Sequence, residues 1–356
     1  MKKNRIIMIG PDVSGLGGIS RVLNIWQSGG FFEKFKISFV PSVSNKNNKV
    51  LTLVNALVRV FFICITGCRM VYIHTASNNS FYRKCLFMQI AILFNRPFIV
   101  HIHPSYFPKF ILELQGFKQK LALLILSKAK AFVVLSQSIK REVSEIYPDK
   151  PIFILDNPID IQGMANINDV TRRTNHILFL GWYMRRKGVY DLVDALEMLL
   201  RDNIHITADF FGTKDRDTLC SYVANKGLQE KIRINGWIGE KEKLNALYSC
   251  TMLVLPSHTE GIPNVILEAM ATKTPIVSTS VGGLKDILID GENSLIVKNN
   301  NAVDIKEKIQ FMLQNPFFGR RIADSAYIEV CNRSDISIIQ TRFKSMLDSI
   351  ENSAGS

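Results

Sequence analysis

The sequence predicts an α/β protein made of two doubly wound parallel sheets. Three observations lead there. Short apolar runs alternate with helical patterns along the whole chain, the series of strands occurs twice, and a polar stretch separates the two series. At 356 residues, 47% of them apolar, the chain exceeds one ordinary core and can bury two.

In the first half, strand-like runs fall at 5–10, 36–40, 70–74, 97–101, 131–135 and 152–155. Each is short, rich in Ile, Val and Phe, and closed by polar or turn residues, as buried parallel strands are. The charged start, MKKNRIIMIG, resembles a signal peptide, but its apolar stretch stops at Gly10-Pro11, so a first strand is expected instead. Residues 50–67 are the most hydrophobic stretch. Asn55 and Arg59 interrupt them, so a helix lying on the core or on a membrane face is expected rather than a spanning one. In 109–130, Phe110, Leu114, Phe117, Leu121, Leu124 and Ile125 recur at helical spacing beside Lys118, Lys120, Lys128 and Lys130, predicting one amphipathic helix that either packs on the core with solvated lysines or lies on an anionic surface.

Residues 156–175, polar and holding Pro158 and Gly163, read as a linker. The second strand series follows at 176–180, 205–211, 231–235, 252–255, 275–278 and 294–297. The expected domains are 1–165 and 166–335. A last helix in 336–356, with Ile336, Ile339, Phe343, Met346 and Ile350 at helical spacing, is expected to pack back on the first domain before a polar tail.

Charge is unevenly placed. Residues 1–157 carry 21 Lys and Arg against 7 Asp and Glu, a balance of +14, while the remaining residues carry 23 against 24. A uniform solubility charge would not segregate this way, so the first half is expected to meet an anionic membrane surface or a phosphorylated acceptor. Nucleic acid is not expected as a partner, because no helix-turn-helix, zinc-ligand or RNP-type pattern accompanies the charge. The six cysteines have no C-x-x-C spacing and mostly sit in apolar runs, as reduced thiols of a cytosolic protein do.

The chemistry-bearing stretches follow strands. TEGIPNVILEA (259–269) comes after a strand ending at Pro256-Ser257 and feeds a helix through Gly261-Ile262-Pro263, with Glu260 before the helix and Glu268 inside it. Carboxyl ends of parallel strands are where such sheets bind ligands. A helix N-terminus there favours phosphate, and a carboxylate can hold sugar hydroxyls. The loop after the first strand of the second half holds Arg185, Arg186 and Lys187, and Lys187 can neutralise a departing diphosphate. GLGGIS (15–20) lies where a glycine turn lets backbone approach a ligand, without dinucleotide-fingerprint spacing. His74 and His103 are expected just past the ends of two strands of the first sheet. Asp215-Arg216-Asp217 matches the Asp-x-Asp metal motif formally and reads as chance on a helix-loop surface.

The ordered series GGIS, HIHPSY, VLS, DNPID, LG…RRKGVYDLVDAL, FFG, INGWI and LPSHTEGIPNVILEAMATKTPIVSTSVGGLKDILIDGENSLIV resembles the retaining glycosyltransferases of family four across nearly the whole chain, most specifically over 255–297. The resemblance implies the GT-B fold, two Rossmann-like domains facing a central cleft, with acceptor held by the first and nucleotide sugar by the second. It implies Glu268 on the donor ribose and Glu260 on the transferred sugar's hydroxyls. Gly261, Ile262, Pro263 and Asn264 would offer main chain to sugar and phosphates, Lys187 would meet the diphosphate, Gly17 and Gly18 would meet the donor from the other domain, and His103 would sit beside the reacting sugar. Three positions depart from the family pattern. Trp182 stands where Arg usually follows the glycine, so Arg185 or Arg186 replaces it or Trp182 stacks on the ligand. Gly282-Gly283-Leu284-Lys285-Asp286 carries a shorter acid than usual, and Asn293-Ser294 replaces Asn-Gly.

The expected activity is sugar transfer with retention, without a metal or other cofactor, from a UDP- or GDP-sugar to a lipid-linked or saccharide acceptor. The resemblance suggests assembly of bacterial capsule, O-antigen or exopolysaccharide by a cytoplasmic enzyme peripheral to the inner membrane face. A catalytically silent membrane-associated scaffold on the same fold is the alternative, and nucleic-acid binding through the basic half is a weaker one.

Overall fold

The computed structural model describes residues 5–44, 48–164 and 170–352. Its strands in chain order are β1 (Ile6–Gly10), β2 (Ile37–Pro41), β3 (Met70–Thr75), β4 (Phe98–Ile102), β5 (Ala131–Val134), β6 (Ile152–Ile154), β7 (His176–Leu180), β8 (Thr207–Phe211), β9 (Ile232–Asn235), β10 (Met252–Leu255), β11 (Ile276–Thr279) and β12 (Leu295–Val297). The helices are α1 (Gly18–Ser28), α2 (Phe31–Lys34), α3 (Lys49–Thr66), α4 (Asn79–Leu93), α5 (Phe107–Glu113), α6 (Gly116–Ser127), α7 (Gln137–Ile146), α8 (Ile161–Met164), α9 (Val189–Arg201), α10 (Arg216–Asn225), α11 (Glu240–Ser249), α12 (Asn264–Ala271), α13 (Ala302–Gln314), α14 (Pro316–Ser334) and α15 (Ile336–Asn352). Every expected strand is present, and all pairings within the two six-stranded sheets are parallel.

The chain divides into two compact units, Met1–Pro158 with Ile336–Ser356, and Ile159–Asp335. In the first unit the strand order is β2-β1-β3-β4-β5-β6. The chain moves outward from β1 to β2 and then back across to β3, so right-handed crossovers put α1 on one face and α3, α4 and α6 on the other. On the α1 face, α15 closes the core. Phe343 stands 5.7 Å from the Trp26 ring and 4.8 Å from Phe31, in one buried cluster with Tyr72 and Met8. The second unit has order β12-β11-β10-β7-β8-β9, and its series reverses between β7 and β10.

Three expectations change. The stretch 156–175 is not a free linker: the N–H of Ile159 donates to the Ser334 carbonyl at 2.7 Å, and Ile159, Ile161 and Met164 are buried. The unit boundary therefore falls at Pro158, ahead of 165; residues 165–169 of that stretch lie outside the described residues, as does the tail 353–356. The predicted single helix over 109–130 is two, α5 and α6, because Gly116 adopts φ +57° after extended Leu114 and Gln115. Its apolar residues do not share a face, since Phe110 and Ile125 are buried while Phe117 and Leu124 are exposed. His74 lies within β3 and is fully buried, one position short of the strand's end.

Candidate functional site

In the second unit, β7 and β10 are neighbours from which the order runs out in opposite directions. Loops leaving such a pair diverge and open a crevice at their carboxyl ends. Here close backbone packing brings the loops together. Gly188 ends the 3₁₀ turn Arg185–Lys187 with φ +65°, a conformation L side chains rarely adopt, and a Cβ there would lie 2.0 Å from the Pro256 carbonyl oxygen. The N–H of His258 donates to the Arg186 carbonyl at 2.9 Å. From the other side, a Cβ on Gly283 would lie 2.7 Å from the Gly261 carbonyl oxygen, so the loop after β11 backs directly onto Glu260-Gly261.

These contacts set the charged groups. Lys187 Nζ lies 2.5 Å from Glu260 Oε1, with the two side chains 15% and 8% exposed. Glu268, inside α12 and 2% exposed, has Lys243 of α11 at 2.6 Å, and Lys243 also meets Glu240 at 3.3 Å. Ionised groups this buried persist because each is paired; removing one partner leaves a charge costing about 3–5 kcal/mol. His258 Nε2 stands 2.7 Å from Asp191 Oδ2 in the first turn of α9, which fixes the loop on the approach to Glu260. Gly261 and buried Ile262 lead through Pro263 to the α12 N-terminus at Asn264. Two lysine–carboxylate pairs therefore stand on the rim loop and on α12, beside the N-terminus of that helix. Such a set can exchange its internal partners for a ligand's phosphate on the lysine side and its hydroxyls on the carboxylate side.

Of the cations expected with Lys187, Arg185 lies over the Tyr190 ring at 5.0 Å and Arg186 over Trp182 at 5.4 Å, both exposed. Lys214, in the loop after β8, lies over the same Trp182 ring at 4.1 Å. Trp182 thus gathers two cations where a single arginine is usual in the resembled family. The sequence reading missed Lys214, Lys243 and His258. Lys243 has no signal in sequence, since a lysine on a helix is ordinarily solvated; Lys214 follows the FFG strand end and was open to the reasoning used for Lys187.

In the first unit, Gly17 precedes α1 in extended conformation with open space where a Cβ would stand, and Gly18 begins the helix. Across the carboxyl edge, His103 follows β4 and is 8% exposed. Its Nε2 is 2.9 Å from His74 Nδ1, and Tyr72 Oη is 3.0 Å from His101 Nδ1. Burial pushes the His103 imidazole down to about 3, so it stands neutral at neutral pH; burial lowers His74 and His101 too, each further opposed by the neighbouring histidine. Among the described residues, these three histidines form the group close enough to share a metal ion, with ring nitrogens within 4.8 Å. His101 and His103 stack at 4.3 Å and 24°, which turns the rings parallel instead of converging their lone pairs on one point. Asp215 and Asp217 sit before and within the first turn of α10, where acids complement the helix dipole.

Residues 164–328 match the family described as Glycosyl transferases group 1. Among curated proteins, the chain is 32% identical over 184 residues to an uncharacterized glycosyltransferase of Methanocaldococcus jannaschii, covering 51% of this chain and 49% of that one. It is 21% identical over 232 residues to the capsular polysaccharide biosynthesis glycosyltransferase CapM of Staphylococcus aureus, covering 61% of each. The chain thus spans about half the length of the curated relatives it matches. Among solved structures, the fold superposes on Anabaena HepE in complex with UDP with a TM-score of 0.74 at 16% identity, covering 97% of this chain and 100% of that one. At that identity the likeness establishes the two-sheet GT-B fold.

Proposed function

From the match of residues 164–328 to glycosyl transferases group 1, we propose that this chain transfers a sugar from a nucleoside diphosphate donor, with retention and without a metal. One observation carries the reading: the Lys187–Glu260 pair, 2.5 Å long, at the carboxyl edge where the sheet order reverses. A donor offers a diphosphate to Lys187 and sugar hydroxyls to Glu260, so binding replaces one buried ion pair by two charge-assisted contacts. Glu268 accepts the ribose hydroxyls. The main chain of Gly261, Ile262, Pro263 and Asn264 faces the phosphates, and the α12 N-terminus favours their charge.

Leaving-group charge is then met by Lys187, with Arg186 and Lys214 supplying further positive field through their common seat on Trp182. Arg185, turned onto Tyr190, contributes less. In the first unit, the open space where a Gly17 Cβ would stand leaves room for a ligand beside that backbone. His103, held neutral, serves as a hydrogen-bond partner beside the reacting sugar and not as a cation. The donor is a UDP- or GDP-sugar and the acceptor lipid-linked or a saccharide, at the cytoplasmic face of the membrane; the capsular polysaccharide role of the Staphylococcus aureus relative supports surface polysaccharide assembly.

The test is a thermal-shift screen with UDP- and GDP-sugars, followed by donor hydrolysis assays with and without EDTA. A donor present at one hundred times its Kd is expected to add about 2.7 kcal/mol of stability. The absence of any shift with every sugar nucleotide, together with no hydrolysis, would sink the reading.

A further inference from the structure

The layer α3–α4–α6 of the first unit leaves an apolar surface uncovered. In α3 the residues buried against the sheet are Ala56, Val60 and Cys64, one stripe at helical spacing. The rest of the helix is apolar as well: Val50, Leu51, Val54, Val58, Phe62 and Ile65 are all exposed, Phe62 by 60%. A helix that is hydrophobic on every side belongs in a core or in lipid. By length and composition α3 would cross a membrane, but it is the crossover joining β2 to β3, and Arg59 reaches Ser38 of β2 at 3.4 Å. Spanning would tear it from the sheet. The geometry leaves it able to lie in an interface plane.

A basic recess adjoins the end of this surface. The Phe61 and Phe94 rings meet at 5.0 Å, and Arg96 Nε donates to the Cys64 carbonyl at 2.9 Å, which ties the α3 C-terminus to the end of α4. Beyond them opens a recess of about 580 Å³ lined by Arg96, Lys128, Lys130 and Lys150, with Asp149 as its one acid. Among the described residues, Lys128, Lys130 and Lys150 make no ion pair. Leu93, 70% exposed, ends α4 directly after Ile92, which lines the recess. The recess lies at the amino ends of β4, β5 and β6, on the edge of the sheet opposite His103 and Gly17.

We propose that this corner is a bilayer docking site: Phe62, Ile65 and Leu93 enter the acyl boundary while the recess takes an anionic lipid headgroup. Charge complementarity selects this occupant. Apolar side chains alone would suit a second copy of the chain, but four cations around one open recess repel a second copy and attract a phosphate-bearing surface. The inference rests on the membrane-associated part of the reading above, and replaces the continuous helix expected over 109–130 as the attachment element.

The test is vesicle sedimentation of the full chain. It is expected to pellet with phosphatidylcholine vesicles containing phosphatidylglycerol, weakly with phosphatidylcholine alone, and less as salt rises. Lys128→Gln/Lys130→Gln/Lys150→Gln should lower the partition coefficient roughly 100-fold, about fivefold per lysine. Phe62→Ser/Leu93→Ser should abolish pelleting even at low salt. Both variants should keep wild-type thermal transitions and sugar-nucleotide hydrolysis in solution, so a failed docking site leaves the enzymatic reading standing. Wild-type pelleting by either variant would overturn the proposal, as would equal binding to neutral vesicles. So would sedimentation equilibrium showing a dimer that dissociates in Phe62→Ser/Leu93→Ser.

Discussion

Gly188→Ala tests whether the rim loop is built by close backbone approach. Gly188 adopts φ +65°, and its Cβ would lie 2.0 Å from the Pro256 carbonyl oxygen and 2.7 Å from the Pro256 carbonyl carbon. Gly227 offers a matched control, with φ +68° and nothing within 4 Å of its Cβ. Both substitutions force an alanine into the left-handed region at about 1–2 kcal/mol, offset by about 0.4–1 kcal/mol from a stiffer unfolded chain. Gly227→Ala should therefore cost about 1 kcal/mol. At Gly188 the collision is with backbone, which cannot rotate away, and adds about 1–3 kcal/mol of overpacking. For a unit of this size each kcal/mol moves Tm by about 2–4 °C, so Gly188→Ala should lower it by roughly 5–15 °C against about 2–4 °C for the control. Differential scanning calorimetry reads the stability. Donor titration then shows whether separating Lys187 from Glu260 weakens binding in Gly188→Ala alone. Equal Tm losses in the two variants, with donor affinity unchanged in both, would refute the account of the site.

Further outcomes follow from the same geometry. Glu268→Ala should weaken sugar-nucleotide binding by about 1.5–3 kcal/mol, whereas Glu260→Ala should lower turnover more than binding; isothermal titration beside initial rates separates them, and wild-type behaviour of both rejects the donor assignment. Lys187→Ala should remove most transfer activity while EDTA leaves the wild type active, and strict dependence on a divalent ion lost in Asp215→Ala would contradict the metal-free reading. Acid should destabilise the first unit through its buried histidines. Below about pH 6.5 the unfolded chain binds protons there that the folded unit refuses, down to about pH 3 at His103. The unfolded state then holds more protons, so stability falls as pH drops, by about 1.4 kcal/mol per pH unit for each such histidine. Thermal melts between pH 7.5 and 5 check this; about the same Tm throughout would show that the cluster protonates freely when folded.

The strands were legible because each buried parallel strand is a short apolar run with a turn residue at its end, a signal that needs no knowledge of neighbours. The places of Glu260, Glu268 and Lys187 in the fold were legible for a related reason, since each follows such a run closely in sequence. The pairing of Lys243 with Glu268 was not, because it depends on α11 packing beside α12 across 25 residues of sequence. The continuous helix over 109–130 failed on a residue that was visible. Gly116 breaks the backbone, but apolar spacing continues across the break by coincidence of α5 and α6. His74 was placed just past a strand end because the run VYIHTAS turns polar from there on, and the structure buries it in the layered ring cluster of Trp26, His101 and His103.

The chain leaves the first unit after Pro158 and re-enters it at Ile336. In order of synthesis the second unit is an insertion, and its ends, Ile159 and Asp335, pair in a β-bridge. On the ribosome the first sheet is complete early, yet the face around Trp26 and Phe31 has no cover until Phe343 emerges. At about 5–20 residues per second that wait lasts on the order of ten to thirty seconds. The second unit can close meanwhile, so the half of the protein begun first is finished last. An aromatic surface exposed for that long is a binding target for chaperones, and a stop codon after Asp335 would make the exposure permanent while leaving the second unit whole.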